Sequence, residues 1–364
     1  MPANPKRKSR PRAATLSDVG RAAGVSAMAA SAVLNGARTS SRISEQTRGK
    51  ILAAAQKLNY RPNAAARALA NRRMNTIGVA ALFGGVNQYL LEVFNGIVEA
   101  ASANRQNATI FTLHSWQKEA DRLPSFCDGR IDGLILVAPV LGREAGDALP
   151  KHIPFVSLHG NTPIPNVINL ESDEETGAYE VVRHLTTLGH KRILHLAGPS
   201  HVVGAQRRLR GYSRALRDAG LKVDENLIVE AGFVQENGQQ AMGEWLRRHK
   251  GQPLPHAIFC VNDGCAIGCM ETLAQAGVRI PEDVSIVGFD DTLAARTTVP
   301  QLTTVRQPLR EMGQRAVEIL LEEIVNRHAP SSMPPPPIVF PTALVHRASV
   351  ARPAASSRPI PALP

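Results

Sequence analysis

The hydrophobic positions of the first sixty residues recur at helical spacing in three short segments. Thr15 and Asp18 give the first segment a capping-box-like start. Ser26 caps the second segment, which ends at Asn35-Gly36, and the third begins at Ser44. The apolar positions of these segments are Leu16, Val19, Ala22 and Ala23, then Val33 and Leu34, then Ile51, Ala54, Ala55 and Leu58. The pattern predicts three amphipathic helices.

Two of these helices are separated only by a turn that contains Gly24, which is the arrangement of a helix-turn-helix. With the third helix they form a predicted DNA-binding headpiece over residues 14–62. In such a unit the second helix lies in the major groove of DNA. Residues 63–70 follow, an Ala-rich and helix-prone stretch that is too short to be stable alone in water. We expect a hinge over residues 63–73 whose helix forms only when something packs against it.

The pattern changes at Thr76, after which short apolar runs alternate with helical segments. The runs lie at 77–83, 134–138, 193–197, 257–261 and 284–289, and the helical segments include 91–103, 174–188, 206–219, 263–276 and 309–325. Near-continuous apolar strands between helices indicate parallel sheets that are covered on both faces. About 270 residues exceed the usual size of a single core, so we expect two α/β lobes over residues 74–350.

The two ends of the chain lack such patterns. Residues 1–13 are rich in Pro, Lys and Arg, and we expect a disordered basic arm. Residues 334–337 are four consecutive prolines, which break the pattern near the end. The Pro-, Ala- and Ser-rich residues 351–364 are expected to form a disordered tail.

Positive charge is concentrated near the N-terminus. Residues 1–73 contain 15 Lys or Arg and only two acidic residues, a net charge of +13, whereas the remainder carries −2. A basic tail would explain residues 6–12 alone, but the basic residues continue through the predicted helices to Arg73. The asymmetry therefore favours a polyanion as the partner of the headpiece.

The four cysteines leave two interpretations open. Cys265 and Cys269 are four residues apart, a spacing that on a helix could place two metal ligands on one face. No His or Cys pair elsewhere completes a zinc pattern, so buried thiols in a reducing cytosol explain them better than a metal or a disulfide. The N-terminal charges are not followed by the apolar run of a secretory signal, and no stretch approaches the roughly 20 apolar residues of a membrane span. We expect a cytoplasmic, nucleoid-associated protein without a cofactor.

The combined motifs of residues 14–350 resemble the lactose-repressor (LacI/GalR) family of bacterial regulators. The segments that show the resemblance are Thr15-Leu16-Ser17-Asp18-Val19, Ala23-Gly24-Val25-Ser26, Val33-Leu34-Asn35-Gly36 and Leu58-Asn59-Tyr60-Arg61-Pro62-Asn63, with Ser31, Ala66, Leu69 and Ala70. The resemblance implies a helix-turn-helix headpiece followed by a two-lobed effector domain like that of periplasmic binding proteins.

The resemblance assigns DNA contacts to the residues after Ser26. These are Ala27, Met28, Ser31, Ala32 and Asn35, with Leu16, Ser26, Thr47 and Tyr60 from the rest of the headpiece. Ala32 stands where the family often has an Arg, and its absence removes a potential bidentate contact with guanine. Ala27 and Met28 could contact thymine methyl groups, or could simply fill the helix. Phosphate contacts, or a solvated face, are expected at Arg38, Arg42, Arg48, Lys50 and Arg61.

The hinge carries the other implied DNA contacts. Leu69 stands where the family places an apolar wedge that enters the minor groove and kinks the duplex. A core leucine that docks the helix on the next domain is the alternative. Asn63, Ala66 and Arg67 share the helix and would lie along the groove.

The effector domain resembles periplasmic sugar-binding proteins, so a ligand is expected in the cleft between lobes at the carboxyl ends of strands. Asn262 and Asp263 follow one predicted strand, Asp290 follows another, and Arg208 lies on a helix that opens after Gly204. An Arg fork with Asp and Asn can bind vicinal hydroxyls or a carboxylate. Alternatively, Asp263 is only a helix cap, and Arg208 and Asp290 are structural.

Two positions depart from the family pattern. Leu90 stands where an aromatic residue often stacks on the ligand, although Tyr89 could serve instead. His159 replaces a usual Asp, which would favour a more acidic ligand unless it is a core or rim histidine.

The resemblance implies a sequence-specific DNA-binding regulator, a repressor, whose operator affinity a sugar or related metabolite modulates by population shift. A homodimer is implied because one headpiece recognises only half of a palindromic operator. A nucleotide-dependent enzyme is the first alternative, but Gly84-Gly85 lacks the spacing of a dinucleotide fold and no catalytic triad pattern is present. A secreted solute-binding protein is the second, which the basic headpiece and the missing signal peptide disfavour.

Overall fold

The computed structural model describes residues 14–35, 43–61, 73–83, 88–142, 146, 149–326, 333–355 and 357–361. The chain divides into two compact units, residues 1–74 and 75–364. The predicted arm, the Asn35-Gly36 cap and the hinge at 63–72 involve positions outside the described residues.

The described residues of the first unit form three helices, as predicted: α1 (Leu16–Ala23), α2 (Ala27–Asn35) and α3 (Glu45–Lys57). The capping box at the start of α1 is confirmed, since Thr15 and Asp18 exchange side-chain-to-backbone hydrogen bonds. Gly24 ends α1 with a φ of 69°, a left-handed conformation that costs glycine little. The three helices enclose a small core of Val19, Ala30, Ile51, Ala54 and Ala55.

The second unit begins with a six-stranded parallel sheet in the order β11-β5-β4-β3-β1-β2. We call this sheet and its helices the first lobe. Its strands are β1 (Thr76–Leu82), β2 (Asn107–Leu113), β3 (Gly133–Val137), β4 (Phe155–Leu158), β5 (Val167–Ser172) and β11 (Ile338–Phe340). The helices are α4 (Gln88–Ala103), the short α5 (Trp116–Glu119) and α6 (Leu123–Phe126), and α11 (Leu309–Asn326).

The second lobe has a four-stranded parallel sheet in the order β7-β6-β8-β9. Its strands are β6 (Ile193–Ala197), β7 (Ile228–Glu230), β8 (Ala257–Cys260) and β9 (Ser285–Val287), beside an antiparallel pair of β10 (Thr304–Arg306) and β12 (Ala343–Val345). The helices are α7 (Glu174–Thr187), α8 (Val203–Asp218), α9 (Gln235–Arg248) and α10 (Asp263–Gln275). Two buried apolar clusters fill the faces of this sheet.

Within the part of the chain that the structure describes, the backbone passes between the lobes three times, from β5 to α7, from β10 to α11, and from β11 to β12. Each crossover is one or two residues long. Because the carboxyl ends of the strands lead into these crossovers, residues that follow the strands face the space between the lobes. The predicted two-lobed α/β architecture with parallel sheets is therefore confirmed.

The tail differs from the prediction. Residues 351–355 and 357–361 pack on the second lobe rather than being disordered. Ile360 is buried in a core cluster, its amide donates to the carbonyl of Gln252, and Arg358 contacts Asp283 and the carbonyl of Gly277. The sequence did not predict this docking, because one apolar side chain and backbone hydrogen bonds hold the segment, and such contacts leave no periodic pattern.

All four cysteines are buried free thiols, as predicted. Among the described residues, no helix is both long enough and apolar enough to cross a bilayer.

Candidate functional site

Tyr89 and His159 meet in the first lobe, where the Tyr89 hydroxyl lies 2.7 Å from His159 Nδ1. The amide of Ser172 donates to His159 Nε2 at 3.2 Å, so Nε2 is the acceptor and Nδ1 carries the proton. Burial lowers the pKa of His159 to about 4, so the ring is neutral at pH 7. His159 therefore brings no positive charge for an acidic ligand.

Arg208 is held on three sides in the second lobe. Its Nη2 donates to Glu174 Oε1 at 2.9 Å, its Nη1 donates to the carbonyl of Val261 at 2.5 Å, and its guanidinium carbon lies 4.1 Å from the centroid of the Phe289 ring. Gly204 makes room for the carboxylate, because a Cβ there would lie 2.4 Å from Glu174 Oε1. Arg208 is thus pre-positioned rather than free.

Asp290 follows β9 and accepts a hydrogen bond from Gln307 Nε2 at 2.6 Å. Its φ of 119° is rare for a residue with a side chain, and such strain is concentrated at functional sites. Burial raises the pKa of Asp290 to about 6, against the opposing effect of Arg208. Burial raises the pKa of the Tyr89 hydroxyl, and the negative charges of Asp290 and Glu174 raise it further, so Tyr89 of the first lobe lies near charged groups of the second lobe. We call Tyr89, His159, Glu174, Arg208 and Asp290 the cleft cluster.

Asn262 and Asp263 have structural partners. Asn262 is the N-cap of α10, its Oδ1 accepting from the amide of Cys265, while its Nδ2 donates to the carbonyl of Phe233. Asp263, which the sequence suggested as the cap, is instead the first residue of the helix and is fully buried. Both of its oxygens accept hydrogen bonds, from Thr292 and from Thr304.

Leu90 is half-buried and packs against the core of the first lobe. It therefore offers apolar packing where the family pattern has an aromatic ring, and Tyr89 is the aromatic residue that reaches the cleft cluster.

The lobes also contact each other directly. Asn161, after β4, accepts from the amide of Val203 at 2.6 Å and donates to the carbonyl of His201 at 3.0 Å. Gln88 accepts from the amide of Ala294 at 2.9 Å. These hydrogen bonds join the two lobes directly.

Sequence reasoning missed several polar residues of the cleft. Arg207 donates to both oxygens of Glu171 at 2.9 Å and also lies 3.5 Å from Glu174, beside a groove of about 400 Å³ at the flank of the crossovers. Glu174 and Gln307 each lie within two residues of a strand that leads into a crossover. That position was the signal which could have identified them.

The headpiece places its predicted contact residues in different environments. Met28 is 77% exposed, and Ala27, Ser31 and Thr47 are partly exposed. Ser26 is exposed and caps α2 by accepting from the amide of Ala29 at 3.1 Å. Exposed basic side chains, Arg48, Lys50 and Arg61, lie on and after α3.

The remaining headpiece predictions fall on the core or outside the described residues. Ala32 is buried, and Leu16 and Tyr60 pack against the headpiece core, so these three side chains have a packing role. The structure does not describe the side chain of Asn35 or the positions of Asn63, Ala66, Arg67 and Leu69.

Comparison with known proteins finds a separate family match for the headpiece and for the two-lobed unit. Residues 15–63 match the family of bacterial regulatory proteins, lacI family, and residues 182–350 match the periplasmic binding protein-like domain. The HTH-type transcriptional repressor PurR of Photobacterium profundum is 33% identical over 318 residues, covering 86% of this chain and 93% of that protein. The chain belongs to the lacI family.

Further relatives align over most of the chain. The HTH-type transcriptional regulator DegA of Bacillus subtilis is 32% identical over 82% of this chain and 88% of its own. The lac repressor dimer bound to operator and the anti-inducer ONPF aligns with a TM-score of 0.79 at 28% identity, over 93% of this chain and 100% of that chain. The chain is a DNA-binding transcriptional regulator with an effector domain, and not an enzyme.

Proposed function

We propose that the protein is a homodimeric repressor that binds a palindromic operator through its headpieces. Its affinity for the operator falls or rises when a small, hydroxyl-bearing molecule binds between the lobes. The cleft cluster carries this proposal, because it unites Tyr89 and His159 of one lobe with Arg208 and Asp290 of the other. A ligand bound there contacts both lobes and favours one arrangement of them.

The effector contacts we propose are Tyr89, His159, Arg208, Asp290 and Gln307. Asn262 and Asp263 support the site by fixing the start of α10 and the loop after β9. A solved relative, the transcriptional regulator CelR, is in complex with cellobiose at a TM-score of 0.65, 29% identity and coverage of 92% of this chain and 99% of that one, which supports a sugar or related metabolite.

For DNA, we propose base contacts from Ala27, Met28, Ser31 and Asn35, and minor-groove contacts from the hinge residues Asn63, Ala66, Arg67 and Leu69. We propose that Ser26, Thr47, Arg48 and Lys50 contact the phosphate backbone, which adds affinity but little sequence information.

Three apolar side chains support the dimer. Leu91 and Val98 on α4 and Ile110 on the edge strand β2 are exposed, and a second copy of the chain would cover them. Because the partner is genomic DNA, we place the protein in the cytoplasm, at the nucleoid.

Selection of the full-length protein on random-sequence duplex DNA at moderate salt tests the proposal. Recovery of a palindrome with a defined central step supports paired headpieces. The proposal is contradicted if the protein binds DNA without sequence preference and in a salt-sensitive way, and still does so when a pool of sugars is present.

A further inference from the structure

The ion pair between Glu174 and Arg208 is buried inside the cleft: the two residues are 3% and 5% exposed. We propose that Glu174 is a charge gate, which excludes anionic effectors by occupying Arg208 and leaves the cleft selective for uncharged, hydroxyl-bearing ligands. This inference rests on the proposed effector site.

The donors that an anion would need are already used. A carboxylate or phosphate binds guanidinium best through two parallel N–H groups. In Arg208, Nη2 donates to Glu174 and Nη1 to the carbonyl of Val261, while the Phe289 ring covers one face. An anionic ligand would therefore have to displace Glu174 from a place that Gly204 keeps open for it.

The charges around the cleft also disfavour an anion. Glu171, Glu174 and Asp290 supply three carboxylates against the guanidinium groups of Arg207 and Arg208. Both arginines contact Glu174, so neither is an uncompensated cation. The neutral ring of His159 does not change this balance, and a further negative charge in a poorly solvated site is repelled.

An uncharged hydroxyl fits the buried groups that remain. Arg208 Nε, a donor, and Gln307 Oε1, an acceptor, have no hydrogen-bond partner within the described part of the chain. A hydroxyl group can both accept and donate a hydrogen bond, so a polyhydroxy ligand can satisfy both kinds of atom without added charge. Unpaired buried polar groups are costly, which favours such a ligand.

The test compares Glu174→Gln with Glu175→Gln in the full-length chain. Glu175 is the matched control, since it follows Glu174 on the same helix but pairs with Arg210 and Arg214 at the surface. Binding of inorganic phosphate is measured by calorimetry at constant ionic strength, and circular dichroism confirms the fold. Phosphate bound by the basic headpiece is common to all variants and cancels in the comparison.

We expect Glu174→Gln to gain a phosphate site, with affinity raised about tenfold or more over the wild type because Arg208 is released for a charge-assisted bidentate bond. Glu175→Gln should behave as the wild type, and adding Arg208→Met to Glu174→Gln should abolish the gain. A folded Glu174→Gln protein that gains no phosphate binding overturns the gate.

A second measurement needs no variant. Operator affinity of the wild type is measured with a panel of sugars and with their phosphate esters. We expect that no ester shifts the affinity, and an ester that does so overturns the gate. If sugars and esters are both inert, the proposed effector function is contradicted, while the phosphate measurement still decides the role of Glu174.

Discussion

Thr304 Oγ1 donates a hydrogen bond of 2.5 Å to Asp263 Oδ1, and neither residue is exposed to solvent. Thr304 begins β10, two residues before the strand ends and the chain crosses to the first lobe. The other oxygen of Asp263 accepts from the amide and hydroxyl of Thr292. Asp263 thus ties the start of α10 to both the loop after β9 and a crossover.

This relationship predicts that Asp263→Ala destabilises the second unit without acting through the ligand. The variant leaves three buried donors without an acceptor, a loss of roughly 3 kcal/mol or more in the free energy of unfolding. Urea unfolding measures it, with Asp121→Ala on the surface as the control. An Asp263→Ala protein of wild-type stability that no longer responds to effector would instead make Asp263 a ligand contact.

Met28 should contribute to operator recognition rather than to folding, because its side chain is 77% exposed on α2. We expect Met28→Ala to weaken binding to the selected operator by about 1 kcal/mol, the scale of a lost base contact, with an unchanged melting temperature. Fluorescence anisotropy on operator and on scrambled DNA measures the effect. Equal weakening on both DNAs would show that Met28 does not contribute to sequence specificity.

The C-terminal tail should stabilise the second lobe through Ile360. Its side chain is buried in the same cluster as Leu254 and Val278. Ile360→Ala should lower the free energy of unfolding by roughly 2–4 kcal/mol, the usual cost of a truncated core side chain. The exposed Ala355→Ser is the control in urea unfolding. Equal stability of the two variants would mean that the tail does not dock.

His195 should make the protein sensitive to acid. Its ring stacks with the rings of Tyr212 and Phe259, its Nδ1 contacts the carbonyl of Phe259, and burial lowers its pKa from 6.5 to about 4. The folded ring stays neutral while the unfolded chain takes up a proton, so this contribution to stability is present above pH 6.5 and is lost as the pH falls towards 4, by up to about 3 kcal/mol.

His195→Phe should therefore flatten the decline in stability between pH 6.5 and 4. Tyr212→Phe alters the same stack but leaves His195 in place, so its stability should decline with falling pH as in the wild type. Thermal unfolding across this pH range measures both. An unchanged slope in His195→Phe would assign the acid sensitivity to other groups.

The sequence predicted most of the fold because buried parallel strands are continuous apolar runs and their helices keep a 3.6-residue period. It also singled out Arg208 and Asp290, because one lies on the helix predicted after Gly204 and the other follows an apolar strand. It could not predict that Arg208 is paired with Glu174, since the two are 34 residues apart and meet only through the packing of α7 and α8. The tautomer of His159 depends on Tyr89 and Ser172, and its neutral charge depends on burial, neither of which a local pattern reveals.

The central claim is that a ligand in the cleft changes the affinity of the headpiece for its operator. The most direct measurement is operator affinity with and without a sugar that raises the melting temperature, in the wild type and in Asp290→Ala. We predict a shift of about fivefold or more in the wild type, the ordinary range of allosteric coupling, and none in a folded Asp290→Ala protein that still binds operator. A sugar that binds the wild type without changing operator affinity, or a shift that survives in Asp290→Ala, would contradict the account.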